Sequence, residues 1–428
     1  MPSSPGWWRP GLLVVVGVAI AARVAFALVL APDLPPSGDA TLYRGTAQHL
    51  ADGDGFLYPA PGGGPPQPSA EHPPLFPVAL AGLDLVGLGS AKAQGVALAV
   101  LSGAGVALVA LLGRRVAGPV AGLVAASLAA VHPMWLQSAG LVLSESLYLV
   151  LVPLVLLAAL HLRERRTTMG AVSLGAAIAA AGLTRPEGIA LLVVVAAPAV
   201  LIGAFRSRAA WRSLGLVILV TVLAIAPWVI RNRVDLDAWV LSTNGGKTLL
   251  GSNCSDTYAG PSLGGFSYDC QFGAAALLVQ QGPPEGEWWG SRAFDEELGR
   301  FGRAFIEDHR GEVPKVVVAR VARMWGVAFA TDQRRFDAEE GRHPGLQHAG
   351  QWLHLGVLVA ATAGSLLMLG FRARRPTGIV LLGPVILVTM TCLLIYGGTR
   401  MRTAAEPSLA VLAAVALASM ARPRAPRR

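Results

Sequence analysis

Apolar runs of about 20 residues recur along almost the whole chain and limit its fold more than any other feature. A helix of about 20 residues crosses the ~30 Å hydrocarbon core of a bilayer, and lipid cannot satisfy an open backbone. Only 14% of the 428 residues are charged, against roughly 25% in an ordinary soluble domain. The runs lie at 11–31, 91–113, 117–131, 137–160, 169–184, 187–204, 213–230, 352–370, 377–396 and 404–421. The sequence therefore predicts an all-α, polytopic membrane protein of about ten transmembrane helices.

Arginine clusters at every second junction between these runs predict the orientation of the chain, because cytoplasmic loops concentrate Lys and Arg. The clusters lie at 114–115, 163–166, 206–212, 371–375 and 422–428. With the clusters inside, both termini are cytoplasmic, and the polar loops 32–72 and 231–350 lie on the extracytoplasmic face of the cell membrane. The net charge of +9 then follows from topology, and no nucleic-acid partner is expected.

Two apolar segments need a separate interpretation. The first run is longer than the core of a typical signal peptide and is followed directly by Pro32, so we expect an uncleaved span. The segment 73–89 is short and carries Asp84. If it crossed the membrane, every later arginine cluster would change sides. We therefore expect a helix that lies at the outer interface or re-enters the membrane.

The cysteines predict one disulfide and no metal centre. Cys254 and Cys270 share the second outer loop, whereas Cys392 lies in a span. A disulfide between Cys254 and Cys270 suits an oxidising compartment. The sequence has no CxxC, HExxH or Cys/His array and no glycine-rich nucleotide motif, so neither a metal nor a cofactor is expected.

Acids and arginines are predicted to meet at the outer mouth of the helical bundle. Asp39 and Tyr43 follow the first span in "GDATLY", and Glu145 lies in the outer half of the 137–160 run. Arginine forks suit phosphate oxygens, and a carboxylate can take a proton from an attacking hydroxyl. The pattern favours group transfer from a lipid phosphate carrier. The other polar residues in this set are Glu71, His72, Arg185, Glu187, Arg231, Asn232, Arg400, Arg402 and Glu406.

Each of these residues also has a simpler interpretation. An arginine at a span end can be an interfacial anchor, and Glu145 can be the structural partner of an arginine rather than a functional acid. Ser-Gly-Asp is ordinary turn chemistry, although Asp39 also stands where a short amphipathic helix begins, which favours its ionised form. Arg23, near the middle of the first run, either pairs with an acid or lies in a polar cavity.

Five segments in order resemble the GT-C glycosyltransferases that use lipid-phosphate sugars, in particular the group of the protein O-mannosyltransferases and the lipid A aminoarabinose transferase. The resemblance covers most of the chain at the level of topology, although each motif is short. It implies a polyprenyl-phosphate-linked sugar donor and a membrane-embedded transferase. The segments are "GDATLY", "HPPLFP", "LSESLY", "LTRPEG" and "GGTRMRTAAEP".

The resemblance also implies roles for individual residues. Asp39 falls on the catalytic base, and His72 stands where relatives carry a Lys or Arg that approaches the lipid phosphate. Ala40 replaces a second acid, which disfavours a metal-assisted arrangement, and "AKAQG" at 91–95 lacks an arginine that many relatives have. Phosphate binding would then fall to Arg185, Arg231, Arg400 and Arg402, with Tyr43, His72 and Glu145 completing the substrate site.

Three parts of the chain are expected on this basis. Residues 1–230 form a membrane module with a catalytic first outer loop of interfacial helices at 32–90. Residues 231–350 form a small extracytoplasmic cap, and residues 351–428 form C-terminal helices and a basic cytoplasmic tail. The cap contains a Gly/Asn-rich segment at 242–253 and three tryptophans, Trp288, Trp289 and Trp325. These features either select an acceptor or form the core of a lid.

The predicted reaction is inverting transfer of a hexose or pentose, as in mannosyltransferases of the cell envelope, to a hydroxyl of a glycan, glycolipid or protein. The same site is compatible with transfer of a non-sugar group from the same carrier. A polytopic lipid or solute transporter or flippase is the main alternative, although no clear internal repeat is visible. A non-catalytic assembly protein is a third possibility. The sequence leaves open the sugar, the polyprenyl length and the acceptor.

Overall fold

The computed structural model describes residues 5–58, 65–280 and 291–421, and within them the chain is almost wholly helical, as predicted. A two-stranded antiparallel ribbon pairs β1 (Leu57–Tyr58) with β2 (Gln67–Pro68). The α-helices are α1 Trp8–Ala25, α2 Gly38–Asp52, α3 Leu75–Leu85, α4 Ala91–Ala117, α5 Pro119–Val131, α6 Pro133–Gly140, α7 Glu145–Glu164, α8 Thr168–Thr184, α9 Ala197–Leu201, α10 Arg208–Leu236, α11 Gly245–Ser252, α12 Ser255–Tyr258, α13 Tyr268–Gln280, α14 Arg292–Asp308, α15 Val313–Met324, α16 Ala330–Glu339, α17 Pro344–Gly370, α18 Arg375–Leu394 and α19 Glu406–Met420.

Each predicted apolar run corresponds to an apolar helical segment. In the described residues six segments are long and apolar enough to cross a membrane: α1 with its continuation to Asp33, α4, α7, α10, α17 and α18. The helices α5 and α6 form a further segment that is bent by 54°, and besides α3 three shorter apolar segments lie at 168–184, 186–201 and 406–420. The chain is a membrane protein, and passage of the three shorter segments through the bilayer stays a prediction.

One predicted boundary is wrong. The run 137–160 is not a single helix, because α6 ends at Gly140 and α7 begins only at Glu145. Val142 between them has a φ of 53°, which the interior of a right-handed helix does not allow. Hydropathy alone did not reveal this turn, since 141–143 reads Leu-Val-Leu.

Arg23 explains how the bend between α5 and α6 is tolerated inside the bundle. Pro133 has no N–H, so the carbonyl of Ala129 loses its helical donor. The Arg23 guanidinium replaces it, with Nη2 donating to the Ala129 carbonyl and Nη1 to the Ala130 carbonyl, each at 2.9 Å. Its Nε donates to Ser102 Oγ at 2.9 Å. In the described residues Arg23 is not paired with an acid; its partners are a hydroxyl and backbone carbonyls, among them that of Ala19 at 3.0 Å.

The helix α19 lies at the centre of the bundle. Its residues 406–416 are all buried, as expected of a helix that is apolar on every side. It packs against α17, α5 and α4. The turn that leads into α19 carries Arg400 and Arg402, so the central helix positions both arginines.

The two long polar loops, which the arginine clusters predict to be the outer loops, form small helices beside the bundle. The helices α2 and α3 pack through Tyr43 and Phe76, whose ring centroids are 4.9 Å apart. At 11 residues α3 is about 16 Å long and too short to span the membrane. Loop 231–350 contributes α11 to α16, and the predicted Cys254–Cys270 disulfide is present within it.

Candidate active site

Asp39 lies in the first turn of α2, where the sequence predicted it. Ser37 caps this helix, because its Oγ accepts a hydrogen bond from the Ala40 N–H at 3.1 Å. The Asp39 side chain is 26% exposed, so it borders open space while its neighbours hold it in place.

Arg400 joins three carboxylates that are far apart in the sequence. Its Nη2 donates to Asp39 Oδ2 at 2.7 Å, its Nε to Glu145 Oε1 at 2.6 Å and its Nη1 to Glu340 Oε1 at 3.2 Å. The turn Thr399–Arg402 holds this arginine at the start of α19. Three of its five N–H groups are thereby occupied, which leaves two for another anion.

Glu145 holds a second arginine in the same cluster. Its Oε1 lies 3.2 Å from Arg185 Nη1, and Arg185 Nε donates to Glu187 at 2.6 Å. The Glu145 side chain is 1% exposed and lies behind the two arginines. Its geometry matches the simpler interpretation, a carboxylate that orients arginines.

A single cavity of about 580 Å³ collects the polar residues of both outer loops. It is open on one side and is large enough for a sugar with its phosphate. Asp39, Arg185 and Arg400 share its wall with the cap segment that begins at Val240. The remaining charged and aromatic side chains of the wall are Tyr43, Glu71, His72, Glu187, Lys247, Phe266, Tyr268 and Tyr396.

His72 and Tyr43 lie directly beside Asp39. His72 Nε2 is 3.6 Å from Asp39 Oδ1, and its ring centroid is 4.6 Å from that of Tyr43. The Tyr43 hydroxyl donates to Ser144 Oγ at 3.2 Å. These contacts place two predicted substrate residues next to the predicted base.

The surroundings of Asp39 keep it ionised. Burial acts to raise the pKa of its carboxyl, but Arg400 and then His72 outweigh burial and hold the pKa below its usual value. Burial lowers the pKa of His72 despite the opposing field of Asp39. The His72 ring is therefore neutral near pH 7, and among the described residues its Nε2 has no hydrogen-bond partner.

Two predicted arginines lie away from the cavity. Arg231 donates to the carbonyls of Ser69 and Phe56, both at 2.9 Å, and thereby ties α10 to the first outer loop. Arg402 donates through Nε to Glu406 Oε1 at 2.7 Å and through Nη1 to the Met324 carbonyl at 3.1 Å. Neither arginine is on the wall that Asp39 shares.

Sequence reasoning did not select Lys247 or Glu340 as site residues. Lys247 Nζ is buried 2.8 Å from Glu71 Oε2, and its helix begins inside the Gly/Asn-rich segment 242–253. Glu340 contacts Arg400 and accepts a hydrogen bond from the Tyr268 hydroxyl at 3.3 Å. No spacing pattern marks Glu340, because "AEEGRH" reads as a solvated run.

The predicted tryptophans are not found at the cavity in the described residues. Trp325 stacks on His354, with ring centroids 6.3 Å apart, and is not on the wall of the cavity. Trp288 and Trp289 lie outside the described residues. The cap residues that do reach the wall include Ser242, Asn244 and Thr248.

Solved structures show which fold this is. The oligosaccharyltransferase AglB of Archaeoglobus fulgidus, in complex with an inhibitory peptide and a dolichol-phosphate, aligns with 97% of this chain and 50% of its own, at 14% identity and a TM-score of 0.54. Its apo form aligns with 96% of this chain and 50% of its own, at 16% identity and a TM-score of 0.53. The chain thus spans about half the length of these proteins.

The fold of a third solved structure superposes less well on this chain. ArnT of Cupriavidus metallidurans, bound to undecaprenyl phosphate, aligns with 96% of this chain and 78% of its own, at 16% identity and a TM-score of 0.41, below the level that establishes a shared fold. No family model and no curated protein matches the sequence. The chain has the fold of the GT-C membrane glycosyltransferases, as the resemblance implied.

Proposed function

We propose that this protein is a membrane glycosyltransferase that moves a sugar from a polyprenyl phosphate to an acceptor hydroxyl on the extracytoplasmic face. The observation that carries the proposal is the placement of one ionised carboxylate, Asp39, and two arginines, Arg185 and Arg400, on the wall of one open cavity. The fold shared with AglB supports it. The sugar is a hexose or pentose, mannose-like by the family resemblance, and the acceptor is a glycan, glycolipid or protein of the cell envelope.

The reaction is a single inverting displacement. Asp39 takes the proton of the acceptor hydroxyl as its oxygen forms a bond to the anomeric carbon. The bond between that carbon and the phosphate oxygen breaks, and the electron pair leaves with polyprenyl phosphate. Arg185 and Arg400 stabilise the developing negative charge on the leaving phosphate.

The contacts of Arg400 couple donor binding to the base. A phosphate that takes the two remaining N–H groups of Arg400 competes with Asp39 for the same guanidinium. The negative phosphate offsets the charge of Arg400, so the pKa of Asp39 rises. The carboxylate becomes a stronger base only when a donor is in place, while Glu145 continues to orient Arg400 and Arg185.

The acceptor approaches between the two outer loops. The cap residues Ser242, Asn244, Lys247 and Thr248 border the same cavity as Asp39 and supply hydroxyls, an amide and the paired Lys247. Such groups recognise a polar acceptor by hydrogen bonds. Neutral His72 donates or accepts beside Asp39, so it can position the acceptor hydroxyl.

The test is consumption of a polyprenyl-phosphate-linked sugar by the purified protein in vesicles. Asp39→Asn keeps the size of the side chain and removes its basicity, so transfer should fall by roughly 10²- to 10⁴-fold while donor binding survives. Asp52→Asn, at the exposed far end of the same helix, is the matched control and should be active.

Two results would contradict the proposal. A folded Asp39→Asn protein that binds donor and transfers at the normal rate removes Asp39 from the mechanism. Movement of the donor across the vesicle membrane without release of polyprenyl phosphate identifies a transporter instead.

A further inference from the structure

A second group of buried titratable residues lies outside the cavity described above. His132 precedes α6 at the bend of the α5–α6 pair, His354 lies in α17, and Glu406 is the first residue of α19. Their exposed fractions are 4%, 1% and 2%. Three separate elements therefore bring two imidazoles and a carboxylate together in the interior.

One separation between these groups equals that of two ligands around one ion, and the others are longer. His132 Nε2 lies 3.4 Å from Glu406 Oε2, and His354 Nδ1 lies 3.8 Å from Glu406 Oε1. One ligand atom from each residue can be chosen so that all lie within 4.8 Å of one another. With Zn–N and Zn–O bonds of ~2.0–2.2 Å, the edges of a tetrahedron are roughly 3.3–3.5 Å long.

The imidazoles have no adequate protein partner in the described part of the chain. Neither ring nitrogen of His132 or His354 forms a hydrogen bond there, although the Trp325 carbonyl interacts with the His354 ring outside hydrogen-bonding geometry. A buried polar atom without a partner destabilises the fold. Protonated histidines would not relieve this, because a charge-assisted bond to Glu406 would be about 2.7–2.9 Å long, shorter than both observed separations.

The surrounding groups are compatible with a bound cation. Arg402 Nε donates a hydrogen bond to Glu406 Oε1 at 2.7 Å. The other carboxylate oxygen, Oε2, has no such bond to Arg402 and lies 3.4 Å from His132 Nε2. Arg402 is itself a positive charge, which its ion pair with Glu406 offsets. The adjoining cavity is also bordered by Arg323, Arg334 and Asp337, and Asp337 pairs with Arg342. That cavity measures about 30 Å³ and is bordered by His132 and His354, which is enough for one water.

We propose that His132, His354 and Glu406 bind a zinc ion, with a water from the adjoining cavity as the fourth ligand. Two imidazoles and a carboxylate form a ligand set that zinc favours. The sequence motifs for metal sites do not detect this one, because its ligands are separated by 222 residues between His132 and His354 and 52 between His354 and Glu406.

The zinc has a positioning role. It joins the bend between α5 and α6 to α17 and to the first turn of α19, directly after the Thr399–Arg402 turn that presents Arg400. The proposal does not depend on the transferase activity, since the ion would be bound whatever reaction the other cavity performs.

The experiment is metal analysis of the full chain, purified in detergent with an affinity tag that contains no histidine. The protein is incubated with zinc, dialysed against zinc-free buffer and analysed by mass spectrometry for metals. We expect about one zinc per chain in the wild type and at least a fivefold loss in His132→Ala and in His354→Ala. His348→Ala, in the same helix as His354, is the matched control and should retain zinc.

Thermal unfolding keeps the proposal testable if a variant folds poorly. Wild-type protein treated with a chelator should unfold at a lower temperature and recover when zinc is returned, while the His354→Ala protein should respond to neither step. Less than a tenth of a zinc per wild-type chain would overturn the proposal. Equal zinc content in the wild type and both folded variants, or loss of zinc in His348→Ala, would also overturn it.

Discussion

Single residues decide how the polar chemistry of this chain is distributed. Arg185, Arg231, Arg400 and Arg402 are equivalent in the sequence, since each stands at the end of an apolar run. In the structure two of them reach the cavity of Asp39, one binds carbonyls of the first outer loop, and one binds Glu406. The difference lies in their partners, which are up to 361 residues away along the chain.

This distribution predicts unequal effects on donor binding. Arg185→Ala should weaken binding of a polyprenyl-phosphate sugar by roughly ten- to hundredfold, because a charge-assisted hydrogen bond contributes ~1.5–3 kcal/mol. Arg185→Lys should restore binding only in part, since Lys lacks the planar fork. Arg231→Ala should leave the donor Kd unchanged. Titration of detergent-purified protein with labelled donor checks this, and equal weakening by Arg185→Ala and Arg231→Ala would contradict it.

The environment of Asp39 predicts a pH dependence of stability. Its pKa is lower in the folded protein than in the unfolded chain, so its contribution to stability is fully present above the unfolded value and is lost as pH falls through the folded value. The melting temperature of Asp39→Asn should lie below that of the wild type at pH 7, and the gap should close below about pH 4. Thermal unfolding followed by tryptophan fluorescence checks this, and a gap that grows on acidification would show the opposite shift.

At the scale of elements, close helix contacts fix the position of the site. The turn bearing Arg400 is placed by α19, and α19 in turn packs against α17. Gly364 makes that approach possible, because a Cβ atom there would lie 1.9 Å from the Leu412 carbonyl oxygen. Small residues at such crossings let the backbones of membrane helices meet.

Two glycines of α17 should therefore respond differently to the same change. Gly364→Ala must separate α17 from α19 and should lower the melting temperature, by an amount that corresponds to ~1–3 kcal/mol of overpacking. A Cβ at Gly356 would meet nothing within 4 Å, so Gly356→Ala should be neutral or slightly stabilising. Thermal unfolding of both variants in one detergent is the measurement. Equal loss of stability in the two would mean that the α17–α19 contact is not limiting.

At the scale of the whole molecule, the arginine clusters predict how the bundle sits in the membrane. Single cysteines at Arg165 and Arg374, in a background without Cys392, should resist a membrane-impermeant thiol reagent in intact cells. A cysteine at Ala304, an exposed position of α14, should react. Both resistant positions should react once the membrane is permeabilised. Labelling of position 165 in intact cells would reverse the topology and place Asp39 in the cytoplasm.

The local pattern of the sequence was sufficient to predict the helices, the all-α membrane class, the Cys254–Cys270 disulfide and Asp39 in the first turn of α2. These features depend on residues a few positions apart, where hydropathy, caps and proline act directly. The true start of α7 was missed, because the apolar run 137–160 continues across the turn between α6 and α7.

Only the tertiary structure decided which arginines reach the cavity, that Glu145 lies behind two of them, and that Arg23 serves backbone carbonyls. It also brought Lys247 and Glu340 to the site and His132, His354 and Glu406 to each other. Arg400 and Glu145 are 255 positions apart, and no local rule relates them. Their contact follows from the packing of α19 among its neighbours, which depends on the shapes of all the helices at once.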